Sequence, residues 1–97
     1  MAFTLSQQAE QDLIDIFITG AKQFGIAQAK RYHLQFKNTF EFLAAHPQAA
    51  PLRTEIEPPV RIHPTGSHLV IYQQMVDSSI FIIRICHSHE DWLSKGF

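Results

Sequence analysis

The chain has 97 residues, a hydrophobic fraction of 45% and a formal net charge of −1 at pH 7. This length allows one domain with a modest core, so we expect a single domain over residues 1–97. Proteins that bind nucleic acid tightly through its phosphates usually carry a clear basic excess. Eight basic against nine acidic side chains give no such excess, which disfavours nucleic acid as the main partner.

The first half of the sequence predicts a short strand and two amphipathic helices. The strand is expected at residues 2–5, and the Ser6 hydroxyl is placed to accept a backbone N–H of the helix that follows. Gly25 is typical of a helix end, and a second helix is expected to run from there to Pro47. The apolar positions of the first helix are Leu13, Ile14, Ile16, Phe17, Ile18, Ala21 and Phe24. The shared face of the second helix contains Ala29, Tyr32, His33, Phe36, Phe40 and Leu43.

The second half predicts a loop and three strands that are joined by turns. Residues 47–59 contain four of the five prolines and predict an extended loop. The strands are expected at Val60–His63, His68–Gln74 and Ile80–His87, with turns at residues 64–67 and 77–79. The order β–α–α–β–β–β predicts an α+β domain. In it, the N-terminal strand and a helical hairpin pack on a twisted, mainly antiparallel sheet.

The last predicted strand is apolar on both of its faces. Phe81, Ile83 and Ile85 alternate along it with Ile80, Ile82, Arg84 and Cys86. The helical hairpin accounts for one face of the sheet, and no further element is predicted to cover the other. Exposed apolar surfaces of this kind usually mark interfaces, so we expect the second sheet face to dock a partner.

The single cysteine and the N-terminal residues indicate the cellular compartment in which we expect the protein. Cys86 cannot form an internal disulfide, and only five residues precede the first helix signal, which leaves no space for a targeting segment. No apolar run approaches the roughly 18 residues that a membrane-spanning helix needs. We therefore expect a cytoplasmic protein in which Cys86 is buried and inert.

Short motifs are distributed in order along nearly the whole chain. The helical half carries Ala9-x-x-Asp12-Leu13-x-x-Ile16, Phe24-Gly25, Gln28-Ala29-x-Arg31-Tyr32 and Leu43-Ala44-x-x-Pro47. The strand half carries Pro59-x-Arg61, Gly66-Ser67-His68-Leu69-x-Ile71-Tyr72 and Ile83-Arg84-Ile85-x-His87-x-x-x-Asp91. In this order, the set resembles the ParE branch of the RelE/ParE toxin superfamily.

The resemblance implies the toxin of a bacterial type II toxin–antitoxin pair that inhibits DNA gyrase by direct binding and needs no catalytic residue. It implies a hetero-oligomer with a ParD-like antitoxin, which would be a ribbon–helix–helix DNA-binding protein. The toxin would contact DNA only indirectly, through this antitoxin. No cofactor, metal or membrane is implied. We expect eight residues to form the partner-binding face: Arg61, His68, Val70, Tyr72, Ile82, Arg84, His87 and Trp92.

Two alternatives remain open at this point. RelE-type toxins cleave mRNA, usually on the ribosome, and such an enzyme needs an acid, a base and cations for the phosphate. His87, Arg84, Arg61 and Tyr72 would then be the catalytic residues. The other alternative is a degenerate toxin that retains only antitoxin binding, because Gln73 stands where relatives often have a basic residue and His89-Glu90 stands where they commonly have Arg-Met.

The six histidines raise the question of a metal site. His87 and His89 are separated by one residue, but no cysteine pair or other metal motif accompanies them, so we expect no metal. We expect His68 to form a hydrogen bond near the turn that begins at Pro64. Trp92 is expected to pack on the sheet or to contact the partner.

Overall fold

A computed structural model of the chain describes residues 2–88. Its elements are strand β1 (Phe3–Leu5), helices α1 (Gln7–Phe24) and α2 (Ile26–Ala45), and strands β2 (Leu52–Arg53), β3 (Val60–Thr65), β4 (His68–Gln74) and β5 (Ile80–His87). The strands form one sheet in the order β1-β5-β4-β3-β2, in which β1 is parallel to β5 and the other pairs are antiparallel. The predicted α+β fold is confirmed.

The helical hairpin depends on one residue at each of its bends. The Ser6 Oγ accepts the Ala9 N–H at 2.9 Å, so the predicted cap of α1 is confirmed. Gly25, with φ of 92°, donates its N–H to the Ala21 carbonyl and accepts the Ala29 N–H with its own carbonyl, both at 3.1 Å. Because glycine adopts positive φ without steric cost, this residue alone ends α1 and begins α2.

The main core lies between the hairpin and the sheet. It contains Phe36, Phe40 and Leu43 of α2, together with Val70, Tyr72, Ile80, Ile82 and Ile85 of the sheet. The predicted buried face of α2 is confirmed except at His33, which is exposed. The predicted stripe of α1 is too wide, because Ile14, Ile18 and Phe24 are all exposed.

A second, smaller core covers the other side of the sheet. Ile56, from the proline-rich loop before β3, packs there with Val60, Ile71 and Cys86, and all four side chains are buried. The prediction of an uncovered apolar face is therefore wrong, because the loop supplies the cover that no helix provides. The expectation that Cys86 is buried is confirmed.

Three details of the strands differ from the prediction. The loop expected at residues 47–59 contains β2, whose Leu52 pairs with Arg61, and β3 continues to Thr65, so the turn before β4 is only two residues long. A bulge interrupts β5, because Tyr72 pairs with Ile82 while the preceding residue of β4 pairs with Arg84. The extra residue of a bulge changes which side chains face the helices, and the simple alternation predicted along β5 is therefore wrong.

Candidate functional site

A groove of about 900 Å³ lies along the helical hairpin and ends at the turn between β3 and β4. Its apolar lining consists of Leu13, Ile16, Phe17, Phe24, Ala29, Tyr32 and Phe36. Polar side chains at its edges include Asp15 and Gln23 of α1 and Arg31 and Gln35 of α2. Since Phe24 is 64% exposed, a large aromatic surface is accessible there. This combination of an apolar floor and polar edges is typical of a site for an amphipathic segment.

Tyr32 fixes the closed end of the groove to the sheet. Its hydroxyl donates to the Thr65 carbonyl at 3.2 Å, accepts the Ser67 N–H at 3.1 Å and lies 2.7 Å from the His68 Nδ1. A phenol has one proton to donate, so all three contacts are satisfied when the Nδ1 carries a proton and donates it. The predicted hydrogen bond of His68 near this turn is confirmed. The His68 and His87 rings, 5.2 Å apart, line the groove beside it.

Asp12 is a buried carboxylate that joins α1 to β5. Its Oδ2 accepts the Arg84 Nε–H and the Ile85 backbone N–H, each at 2.9 Å, and its Oδ1 accepts from the Arg84 Nη2 at 3.3 Å. Buried charges require partners of this kind. Arg84, expected to anchor a partner, is thus ion-paired within the chain. Sequence reasoning missed this ion pair. The signal that could have revealed it is an acidic residue among the apolar, core-facing positions of an amphipathic helix.

Arg61 and Tyr72 hold the chain that follows α2 against the sheet. The Arg61 Nη1 donates to the Ala50 carbonyl at 2.6 Å, and the Tyr72 hydroxyl donates to the Pro47 carbonyl at 3.0 Å. Burial raises the pKa of Tyr72 above its ordinary value, while a backbone hydrogen bond at Ala50 and the Arg61 charge act in the opposite direction. The Tyr72 phenol is therefore neutral at physiological pH and already bonded.

The eight residues predicted for the partner-binding face fall into separate places. Val70, Tyr72 and Ile82 are fully buried in the main core, where they offer no surface to a partner. This placement corrects the prediction, and its cause is the helical hairpin that covers their side of the sheet. His68 and His87 line the groove. Arg61 and Arg84 make the contacts given above, and Trp92 lies outside the described residues.

The four residues considered for ribonuclease chemistry do not form one cluster. Arg61 pairs with Tyr72 across β3 and β4, whereas His87 pairs with His68 across β4 and β5. His68 and Tyr72 are four positions apart on β4, so these two rows are separated by about 13 Å at ~3.3 Å per residue. Their side chains are thus distributed along the sheet rather than gathered around one phosphate.

Residues 3–92 match the family model described as the ParE toxin of type II toxin-antitoxin system, parDE. The chain belongs to this ParE toxin family. Toxin ParE1 of Caulobacter vibrioides is 32% identical to it over 85 residues, which span 88% of this chain and 86% of that relative. The solved structure of the chromosomal ParDE TA system from P. aeruginosa matches with a TM-score of 0.74 at 20% identity, covering 90% of this chain and 95% of that one. The latter match shows a common fold.

Family membership confirms the resemblance drawn from the ordered motifs, so the chain is a ParE-like toxin of the type II class. Within residues 2–88 of this ParE-family chain, no group of three or more His, Cys, Asp or Glu side chains is arranged to hold a metal ion. The same described part contains no helix that is long and apolar enough to cross a membrane.

Proposed function

We propose that this ParE-family chain inhibits DNA gyrase by direct binding in the cytoplasm and is neutralised by a ParD-like antitoxin whose tail docks in the groove along α1 and α2. The observation that carries the antitoxin half of the proposal is the groove itself. It has the apolar floor and polar edges that an amphipathic tail requires, and its exposed phenylalanine is an accessible anchor.

The arrangement of the charged residues supports a binding toxin over a ribonuclease. Arg84 is ion-paired with Asp12, and Arg61 donates to the Ala50 carbonyl. The row of Arg61 and Tyr72 is about 13 Å from the row of His87 at ~3.3 Å per residue, so the four residues considered for RNA cleavage do not share one centre. The nearly balanced net charge also favours a protein target over an RNA target.

The supercoiling activity of purified gyrase tests the gyrase half of the proposal. We expect the purified chain to inhibit supercoiling, and an equimolar amount of its ParD-like antitoxin to restore it. Full supercoiling at saturating toxin would contradict inhibition by direct binding. A parallel assay of ribosome-dependent mRNA cleavage would then identify a RelE-like toxin, and antitoxin binding without either effect would identify a degenerate one.

A further inference from the structure

The helical hairpin carries a second exposed surface, separate from the groove. It consists of one row of exposed residues on each helix: Ile14, Ile18 and Lys22 on α1, and Lys30, Leu34 and Lys37 on α2. None of these six side chains lines the groove. The rings of Phe17 and His33, which precede Ile18 and Leu34 in the chain, are 6.0 Å apart, so the two rows lie side by side. We call this surface the outer hairpin face.

Helix geometry directs the outer hairpin face away from the sheet. At about 100° per residue, Ile18 lies about 180° around α1 from Ala9, and Leu34 lies about 180° around α2 from Leu43. Ala9 and Leu43 are buried in the main core between the hairpin and the sheet. The outer hairpin face therefore has no element of residues 2–88 packed over it.

The centre of the outer hairpin face is apolar. The exposed fractions of Ile14, Ile18 and Leu34 are 51%, 45% and 55%. Neighbouring exposed aliphatic side chains with polar residues around them usually mark a site of interaction. The lysines at positions 22, 30 and 37 supply that polar surround.

The outer hairpin face lies in a basic part of an otherwise acidic chain. Residues 16–40 contain four basic side chains and neither Asp nor Glu, whereas the whole chain has a net charge of −1. None of the lysines at positions 22, 30 and 37 forms an ion pair with a carboxylate of the described residues 2–88. An apolar centre inside a positive rim is complementary to a protein surface with an apolar centre and a rim of carboxylates.

The same features disfavour three other occupants. A second copy of the chain would place lysines against lysines. A nucleic acid backbone would satisfy the lysines but would leave the three aliphatic side chains uncovered. Glu10 and Glu41 are exposed at the end of the hairpin remote from Gly25 and limit the basic area. A bounded protein patch fits this limit better than an extended anionic bilayer does.

We propose that the outer hairpin face binds an acidic, partly apolar surface on the protein that the toxin inhibits. This inference rests on the proposed function, in which that protein is gyrase and the antitoxin tail occupies the groove. Target binding and antitoxin binding then depend on different side chains and can be separated by mutation. Because both surfaces belong to the same two helices, a bound antitoxin obstructs the target sterically.

Charge reversal at Lys30 tests the proposal. Lys30→Glu is compared with Arg53→Glu, which changes the net charge equally but lies on β2, where the Arg53 side chain is 41% exposed. Loss of the exposed ion pair between Arg53 and Glu55 has little effect on stability. Lys30→Arg is the conservative variant, and Leu34→Ala tests the apolar centre. Circular dichroism and urea unfolding verify that all four variants fold.

Growth arrest on expression without antitoxin, at equal protein levels, reports on target binding whatever the target is. The parent, Lys30→Arg and Arg53→Glu should arrest growth, whereas Lys30→Glu should not. In the supercoiling assay, the half-inhibitory concentration should rise at least about tenfold for Lys30→Glu and for Leu34→Ala. The affinity of both variants for the ParD-like antitoxin should stay within about twofold of the parent's, because neither residue lines the groove.

Full growth arrest by Lys30→Glu would overturn the inference, as would an equal loss in Arg53→Glu, which would reflect net charge alone. A loss of antitoxin affinity in Lys30→Glu would assign the outer hairpin face to the antitoxin instead. Binding of the parent to phosphatidylglycerol vesicles that Lys30→Glu abolishes would assign it to the membrane.

The outcomes also distinguish this inference from the proposed function. If Lys30→Glu alone abolishes growth arrest while the parent leaves supercoiling intact, the face binds a target other than gyrase. The proposed function then fails and the assignment of the face stands. A parent chain that does not arrest growth would overturn both.

Discussion

Gly66, in the turn between β3 and β4, lies against the Tyr32 side chain of α2. Its φ is 59°, and a Cβ built on it would lie 2.6 Å from the Tyr32 ring and hydroxyl. Any larger residue would therefore strain the backbone. It would also displace the Tyr32 side chain and break the hydrogen bonds of its hydroxyl, which fix the end of the groove. Glycine is required here for two independent reasons, of which the sequence reveals only the turn.

The first prediction concerns this position. Gly66→Ala should lower the free energy of unfolding by about 2–4 kcal/mol, because the left-handed conformation and the overlap with Tyr32 both add cost. Gly20→Ala is the control: it lies inside α1, its added Cβ meets only Ala29 at 3.7 Å, and it should stabilise by up to ~1 kcal/mol. Urea unfolding measures both, and equal effects would contradict the account of Gly66.

Asp12 provides a second prediction at the scale of the residue. Asp12→Asn keeps the shape of the side chain but leaves the Arg84 guanidinium half-buried without its carboxylate, and should destabilise by about 2–3 kcal/mol. The control is Asp15→Asn. Asp15 also lies on α1 but is exposed, so this change should alter the free energy of unfolding by less than about 0.5 kcal/mol. The free energies of unfolding of the two variants, measured in urea at neutral pH, distinguish these expectations. If the two variants are equally stable, the buried pair does not hold α1 to β5.

At the scale of the elements, periodicity identified both helices and the three long strands. The caps at Ser6 and Gly25 could be predicted because their chemistry is local. The bulge in β5 could not, since every residue from Ile80 to Ile83 is apolar and no side chain marks the extra position. The cover of the second sheet face was missed for a related reason: a loop without periodicity gives no sign of which side chain it buries.

The loop over the second face yields a third prediction. Ile56 is its buried anchor, so Ile56→Ala should cost about 2–4 kcal/mol and increase the binding of a hydrophobic dye. Val76→Ala removes a fully exposed aliphatic side chain from the turn after β4 and should leave both quantities unchanged. Dye binding and thermal unfolding can be followed on the same samples. An Ile56→Ala variant as stable as Val76→Ala would mean that the loop does not cover this face.

At the scale of the whole molecule, the family and its fold were predictable from ordered motifs, while the groove that we propose as the partner surface was not. Alternation along β4 and β5 pointed to a sheet face, yet the hairpin buries Val70, Tyr72 and Ile82. Exposed large apolar side chains lie instead on the helices, with Phe24 in the groove and others, such as Ile18 and Leu34, outside it. A sequence shows which residues are apolar, but only the packing of the elements determines which of them remain uncovered.

The affinity for the antitoxin tests the central claim, that the groove along α1 and α2 is where the antitoxin docks. Titration calorimetry of Phe24→Ala should show affinity at least about tenfold weaker than the parent, as expected when an aromatic anchor is lost from an interface. The control Phe42→Ala should bind like the parent, because Phe42 lies outside the groove lining. Unchanged affinity for Phe24→Ala, or an equal loss in both variants, would contradict the claim.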